Sequence, residues 1–245
     1  MISVSTSRRY TLDDAPFAGR TGRGVTVAVV DSGVASGHPH VGLVSRGVML
    51  GAEDTKRTDY GDRIGHGTAV AAAILEKAPD VELIAVRVFE RELATSAEVL
   101  ARGISWSAEQ GARLINLSLG TSNPAREPVL RAAVEHAASL NAIVVSARDL
   151  DGTLWLPGSL PGVVGVRLDW ECARNAIFVD ADDDGTIVLR ASGYPRPIPG
   201  VARERNLSGI SFAVANVTGF LARLVDGTGG GLNAEQIVRV LAASE

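Results

Sequence analysis

Three short segments carry side chains of the types that can do chemistry. Asp31 closes the run Val29-Val30-Asp31-Ser32-Gly33, His66 opens Gly65-His66-Gly67-Thr68-Ala69, and Ser211 sits in Leu207-Ser208-Gly209-Ile210-Ser211-Phe212-Ala213. A carboxylate at the C-terminal end of a buried strand lies where α/β sheets gather ligands and catalytic groups. Taken alone, such an Asp is more often a turn or cap residue. The glycines around His66 would let another group approach closely, although a lone His there can simply be a helix-end residue. Ser211 has two readings: an N-cap, or a hydroxyl placed where helix-terminal N–H groups stabilise developing negative charge.

The elements that must position these groups alternate along the chain. Val25–Val30, Leu83–Val88, Leu114–Leu117, Ala142–Val145 and Val163–Val166 are short, nearly continuous apolar runs, the pattern of strands covered on both faces. Helical stretches fall at Thr68–Glu76, Ser96–Gln110, Pro128–Leu140, Ser211–Val225 and Ala234–Ala243, with Ser96 and Pro128 suited to helix starts. Strands alternating with helices imply parallel pairing through right-handed crossovers. The expected fold is a three-layer α/β/α sandwich around a mostly parallel central sheet. Asp180-Ala181-Asp182-Asp183-Asp184-Gly185 fits the first half of a calcium loop, but position twelve would be Ala191, where a bidentate Glu is needed. Asp-Gly between two β-like runs is a hairpin signal instead.

Composition narrows the classes. The 245 residues are 46% hydrophobic and 21% charged, which excludes a disordered chain. A net charge of −4 gives no electrostatic basis for a nucleic-acid partner. The N-terminal residues Met1-Ile2-Ser3-Val4-Ser5, followed by Arg8-Arg9, lack the apolar core of a signal peptide. No apolar run is long enough to span a bilayer, so no membrane partner and a cytoplasmic location are expected. The single cysteine, Cys172, is read as a small buried hydrophobe. Gly227-Thr228-Gly229-Gly230-Gly231 is read as a turn before the last helix, not as a domain boundary.

The order Asp31, His66, Ser211, with the local contexts Asp-Ser-Gly, His-Gly-Thr and Gly-x-Ser-x-Ala, resembles that of the subtilisin-like serine proteases, the subtilases of peptidase family S8. Thr21–Asp31 looks like that family's entry into its first core strand. Asn116-Leu117-Ser118-Leu119-Gly120 looks like its substrate-lining strand, whose backbone pairs with an extended peptide. The resemblance runs from about Gly22 to Leu224 and implies an N-terminal extension, 1–21, before a peptidase domain, 22–245. It also implies a serine endopeptidase: His66 as base, since imidazole titrates near neutrality, Asp31 fixing the ring tautomer, and Ser211 forming an acyl-enzyme. Ser118, Leu119, Gly120, Ser146 and Ala147 would line the substrate.

The chain departs from the family at the oxyanion donor. Where an Ala-Gly-Asn context supplies an Asn, this sequence has Ala147-Arg148-Asp149, and an ionised Asp only accepts. Loss of that donor costs subtilisin about 10²–10³ in kcat. Asp149 would have to donate while protonated, Arg148 would have to swing in, or the enzyme would be slow or inactive. No cofactor or metal is expected, because the stretch from Ala69 to Leu83 is too short for the family's calcium-holding loop. About twenty residues before Gly22 are too few for a prodomain, so a partner protein in its place is one expectation. A peptide or protein substrate, specific rather than general, is another. A peptide-binding scaffold without turnover, and a ligase or macrocyclase using the same acyl-enzyme, are the alternative readings.

Overall fold

Thr26–Asp31 is apolar up to its last residue, and every residue from Val27 onward is buried. Along it, Val27 and Val29 pack into one core while Ala28 and Val30 pack into another. A strand presents alternate side chains to opposite faces, so this one must lie between two layers. The structure, a computed structural model, describes residues 7–51, 56–89, 92–182, 184–228 and 231–243. Met1–Ser5, Asp183, Gly229 and Gly230, which figure in the sequence readings, lie outside the described residues.

In chain order the strands begin with β1 (Arg8–Thr11), β2 (Thr26–Asp31), β3 (Arg46–Leu50), β4 (Lys56–Arg57), β5 (Glu82–Arg87) and β6 (Leu114–Leu117). They continue with β7 (Ile143–Ala147), β8 (Asp149–Leu150), β9 (Thr153–Leu154), β10 (Val163–Leu168), β11 (Ala176–Ala181) and β12 (Ile187–Ala191). The helices are α1 (His66–Lys77), α2 (Ala97–Glu109), α3 (Glu127–Ser139), α4 (Ile210–Val225) and α5 (Ala234–Ala243). Ten strands form one sheet in the order β1-β11-β12-β10-β7-β6-β2-β5-β3-β4. Its middle, from β12 through β10, β7, β6, β2 and β5 to β3, is parallel throughout.

Residues of α1, α4 and α5 share a core with one face of this sheet, and those of α2 and α3 with the other, giving the expected three-layer α/β/α sandwich. Helix α4 is buried on nearly every side, as befits a central helix of the larger layer. Ser96 caps α2 through its hydroxyl, which accepts from Val99 N at 3.2 Å. The Asp-Gly signal is a hairpin: β11 and β12 pair antiparallel, and the turn closes through Asp182 N–H to Thr186 O at 2.9 Å. Cys172 is buried, and burial pushes its thiol up to about 11.

Two expectations change. The stretch before Gly22 is not an appendage, because β1 pairs antiparallel with β11. Tyr10 then donates its hydroxyl to Leu241 O in α5 at 2.6 Å, and Phe17 stacks edge-on against Phe220 at 5.1 Å. These residues bury apolar surface that the sheet edge and α4 would otherwise expose. Ser211 is not an N-cap either. Gly209, at φ 144°, holds that position, and Ser211 is the second residue of α4.

Candidate active site

Because β2, β6 and β7 are parallel, their C-terminal ends meet at one rim. Val30 is level with Leu117, and Leu117 with Ser146, so Asp31, Ser118 and Arg148 all emerge there. Asp31 is fully buried. Its Oδ1 accepts from Ser32 N at 2.7 Å and bonds His66 Nδ1 at 2.7 Å, while Oδ2 has no partner among the described residues.

His66 reaches that carboxylate because α1 starts almost on top of the strand end. A Cβ on Gly67 would stand 2.1 Å from Gly33 O and 3.1 Å from Asp31 Cβ, so only glycine permits the approach that the sequence suggested. Burial pulls the imidazole pKa down, but the hydrogen bond and charge of Asp31, with Asp62 behind it, outweigh burial and hold it above its ordinary value. Nδ1 is occupied by Asp31, so the neutral ring presents Nε2 as its acceptor.

Asp62 was not singled out in the sequence, yet it organises the start of α1. Its Oδ1 accepts from Ser32 Oγ at 2.9 Å, Ile64 N at 2.9 Å and Gly65 N at 2.8 Å. Its Oδ2 accepts from Thr68 N at 2.9 Å and Thr68 Oγ1 at 2.6 Å. Burial raises its pKa, and these donors more than reverse the effect. The carboxylate serves the N–H groups that a helix start leaves unpaired. An acid four residues before the helix-opening His was the available signal.

Ser211, half-buried, approaches from α4. Its hydroxyl donates to Ser118 O at 3.3 Å, and the Ser118 hydroxyl donates back to Ser211 O at 3.4 Å. Phe212, the next residue, packs its ring 5.6 Å from that of His66. In this conformer the Ser211 hydroxyl is turned to Ser118 O, and among the described residues it has no hydrogen bond to His66. Behind Ser118, Asn116 Nδ2 donates to Ser118 Oγ at 2.9 Å, and Thr218 Oγ1 donates to Asn116 Oδ1 at 3.0 Å. This buried chain ties β6 to α4. Asn116 within an apolar strand and Thr218 within an apolar helix were legible clues, since buried polar groups require partners.

The residues expected to line substrate divide. Leu119 and Gly120 are half-buried at the rim, and a Cβ on Gly120 would stand 2.5 Å from Leu156 O. Ser118 is buried, and so are Ser146 and Ala147 within the sheet. Ser146 Oγ donates to Leu119 O at 3.3 Å, so these two residues back the rim rather than face it.

Asp149 and Arg148, the candidates for an oxyanion donor, are both bonded to other side chains. Asp149 Oδ2 accepts from Arg167 Nε at 2.7 Å. Arg148 pairs with Asp182 at 3.4 Å, and Arg167 also grips Asp182 at 2.6 and 3.0 Å. These two carboxylates raise the Arg167 pKa against the opposing effect of burial. The Asp149 carboxylate thus already serves a guanidinium, and Arg148 is drawn to the β11–β12 turn. The partners come from β10 and β11–β12, which local sequence could not reveal.

The site thus sets an acid-anchored imidazole and a helix-borne serine at one rim of a parallel sheet. Residues 22–152 match the family described as the subtilase family. The chain is 30% identical over 215 residues to an alkaline protease of Alkalihalobacillus alcalophilus, covering 83% of this chain and 54% of that protein. It is equally similar to subtilisin Savinase of Lederbergia lenta, there covering 77% of the relative. Among solved structures, sphericase superposes with a TM-score of 0.73 at 25% identity, over 90% of this chain and 83% of the other. The chain belongs to the subtilase family. It spans about half the length of the alkaline protease it matches.

Proposed function

We propose that this chain is a serine endopeptidase acting on a specific peptide or precursor through Asp31, His66 and Ser211. The observation that carries the reading is the buried 2.7 Å bond between Asp31 and His66, with Ser211 on the adjoining helix start. In the reaction, the Ser211 hydroxyl rotates off Ser118 O toward His66 Nε2, gives up its proton there and attacks the peptide carbonyl. The imidazolium that forms lies against the Asp31 carboxylate, which stabilises it. Nε2–H then protonates the leaving amine as the C–N bond breaks, leaving an ester on Ser211. A water, deprotonated by the same nitrogen, releases the acid and restores the serine.

In this reading the Ser211 N–H, at the start of α4 where a helix leaves donors unpaired, faces the developing oxyanion, while the Phe212 N–H is taken by Gly209 O at 3.0 Å. Neither Arg148 nor Asp149 adds a side-chain donor, so turnover is expected to be about 10²–10³ below that of a subtilase with one. That same cluster favours a second reading, a peptide-binding scaffold of low turnover. A ligase or macrocyclase would share the acyl-enzyme and differ only in its acceptor, and product masses separate it from a hydrolase. A fluorophosphonate probe read by mass spectrometry tests the nucleophile. Ser211 should be labelled in the wild type and unlabelled in Ser211→Ala; absence of labelling at every pH removes the peptidase reading.

A further inference from the structure

A cavity of about 620 Å³ opens beside the start of α1, bordered by Gly65 just before that helix, by Thr68, Ala69 and Ala72 on it, and by Leu207 on the segment leading to Ser211. Its opposite wall brings four basic side chains together from two distant segments: His38 and His40, Arg196 and Arg205. Arg196 bonds only the His40 carbonyl, at 3.4 Å, and neither it nor Arg205 forms an ion pair among the described residues. The rings of His38 and His40 pack edge-on at 5.4 Å. The one carboxylate on the lining, Asp62, is consumed by Ser32, Thr68 and the N–H groups of Ile64 and Gly65. Between the bases, Ile198 and Leu207 are exposed apolar surface, suited to the methylene stem of a side chain.

We propose that this cavity is a specificity pocket that selects peptides carrying an acidic side chain just beyond the cleaved bond. The assignment of side follows from the chemistry. His66 Nε2 must reach the leaving nitrogen, so the chain after that nitrogen departs past His66. The cavity flanks His66 through Gly65 and Thr68, and it shares no residue with the Ser118–Gly120 rim. A carboxylate there would gain charge-assisted bonds from guanidinium groups that form no ion pair among the described residues, and a neutral isostere would not. The proposal rests on the peptidase reading.

The test uses decapeptides of otherwise neutral sequence in which one Glu, or one Gln in its place, is moved along the chain, with cut positions and rates read by mass spectrometry. Cuts are expected about tenfold faster where Glu stands one or two residues after the cleaved bond than where Gln does. Arg196→Ala combined with Arg205→Ala should erase that ratio, and Arg205→Glu, at an exposed position, should shift the preference toward Lys. Equal rates for Glu and Gln, or a ratio that survives both variants, would overturn the pocket. If no peptide is cut, the peptidase reading fails by itself. The pocket is then judged by equilibrium binding of the same peptides to Ser211→Ala, where about tenfold tighter binding of Glu upholds it and equal affinity rejects it.

Discussion

Two clusters of charge stand at the same rim of the sheet, and they use similar residue types to opposite ends. Around His66, the carboxylates of Asp31 and Asp62 face one imidazole and backbone or hydroxyl donors. Among the described residues no guanidinium is bonded to them, so their field is free to favour a proton on the ring. Around Arg167, the carboxylates of Asp149 and Asp182 are paired with Arg148 and Arg167, and the charges cancel locally. The first arrangement stores a field that a reaction can use, and the second spends its field on holding β7, β10 and the hairpin together. A polar residue near a nucleophile is therefore not a catalytic group by proximity alone; what else it is bonded to decides.

The comparison is broken most severely at Asp31. Asp31→Asn should lower kcat by about 10⁴, because the amide no longer fixes the Nδ1–H tautomer, as measured by steady-state peptide cleavage. A loss of less than tenfold would mean that the His66 ring is held in place by other contacts.

Asp62→Ala comes next. It strips the start of α1 of five accepted hydrogen bonds and removes a charge that supports the imidazolium. Stability should fall by about 2 kcal/mol in a urea titration, and the acid limb of the kcat/KM profile should move to lower pH. An unmoved limb would confine Asp62 to a capping role.

A third buried charge sharpens the contrast. Lys77 is 2% exposed and pairs with Glu76, which also holds Arg174. Burial depresses the Lys77 pKa from 10.5 to about 8, with Arg174 adding to the effect and Glu76 opposing it. Between those two values the unfolded chain binds the proton that the folded chain has released, so stability should rise with pH across that window. Denaturation midpoints should show the rise in the wild type and lose it in Lys77→Met.

The smallest effect is expected at Asp149. Because its carboxylate belongs to Arg167, Asp149→Asn should change kcat by no more than about twofold and stability by at most about 1 kcal/mol, the worth of a partly exposed pair. A tenfold gain in kcat at neutral pH would place this side chain at the oxyanion after all.

How far the letters went can be read from the same residues. The central strands and all five helices were legible because apolar runs and helical spacing reflect burial on two faces. β1 and β3 were not, since Arg8-Arg9-Tyr10-Thr11 and Arg46-Gly47-Val48-Met49-Leu50 open on charge and belong to the sheet's flanks, where one side meets water. Local context marked Asp31, His66 and Ser211 as candidates, of which Asp31 and His66 bond each other, and the glycine at 67 was legible through the approach it permits. Asp62 was passed over in a polar stretch whose role depends on where α1 lands. The partners of Asp149 were not legible, because Arg167 and Asp182 arrive from far along the chain.

The most direct test of the account is the rate of fluorophosphonate labelling of Ser211 as a function of pH. The account predicts that the rate climbs as His66 loses its proton, with a midpoint above the ordinary imidazole value of 6.5, and that Asp31→Asn abolishes most of it. Labelling that ignores pH, or that fails to reach Ser211, would contradict the claim that a buried Asp31–His66 pair activates this hydroxyl.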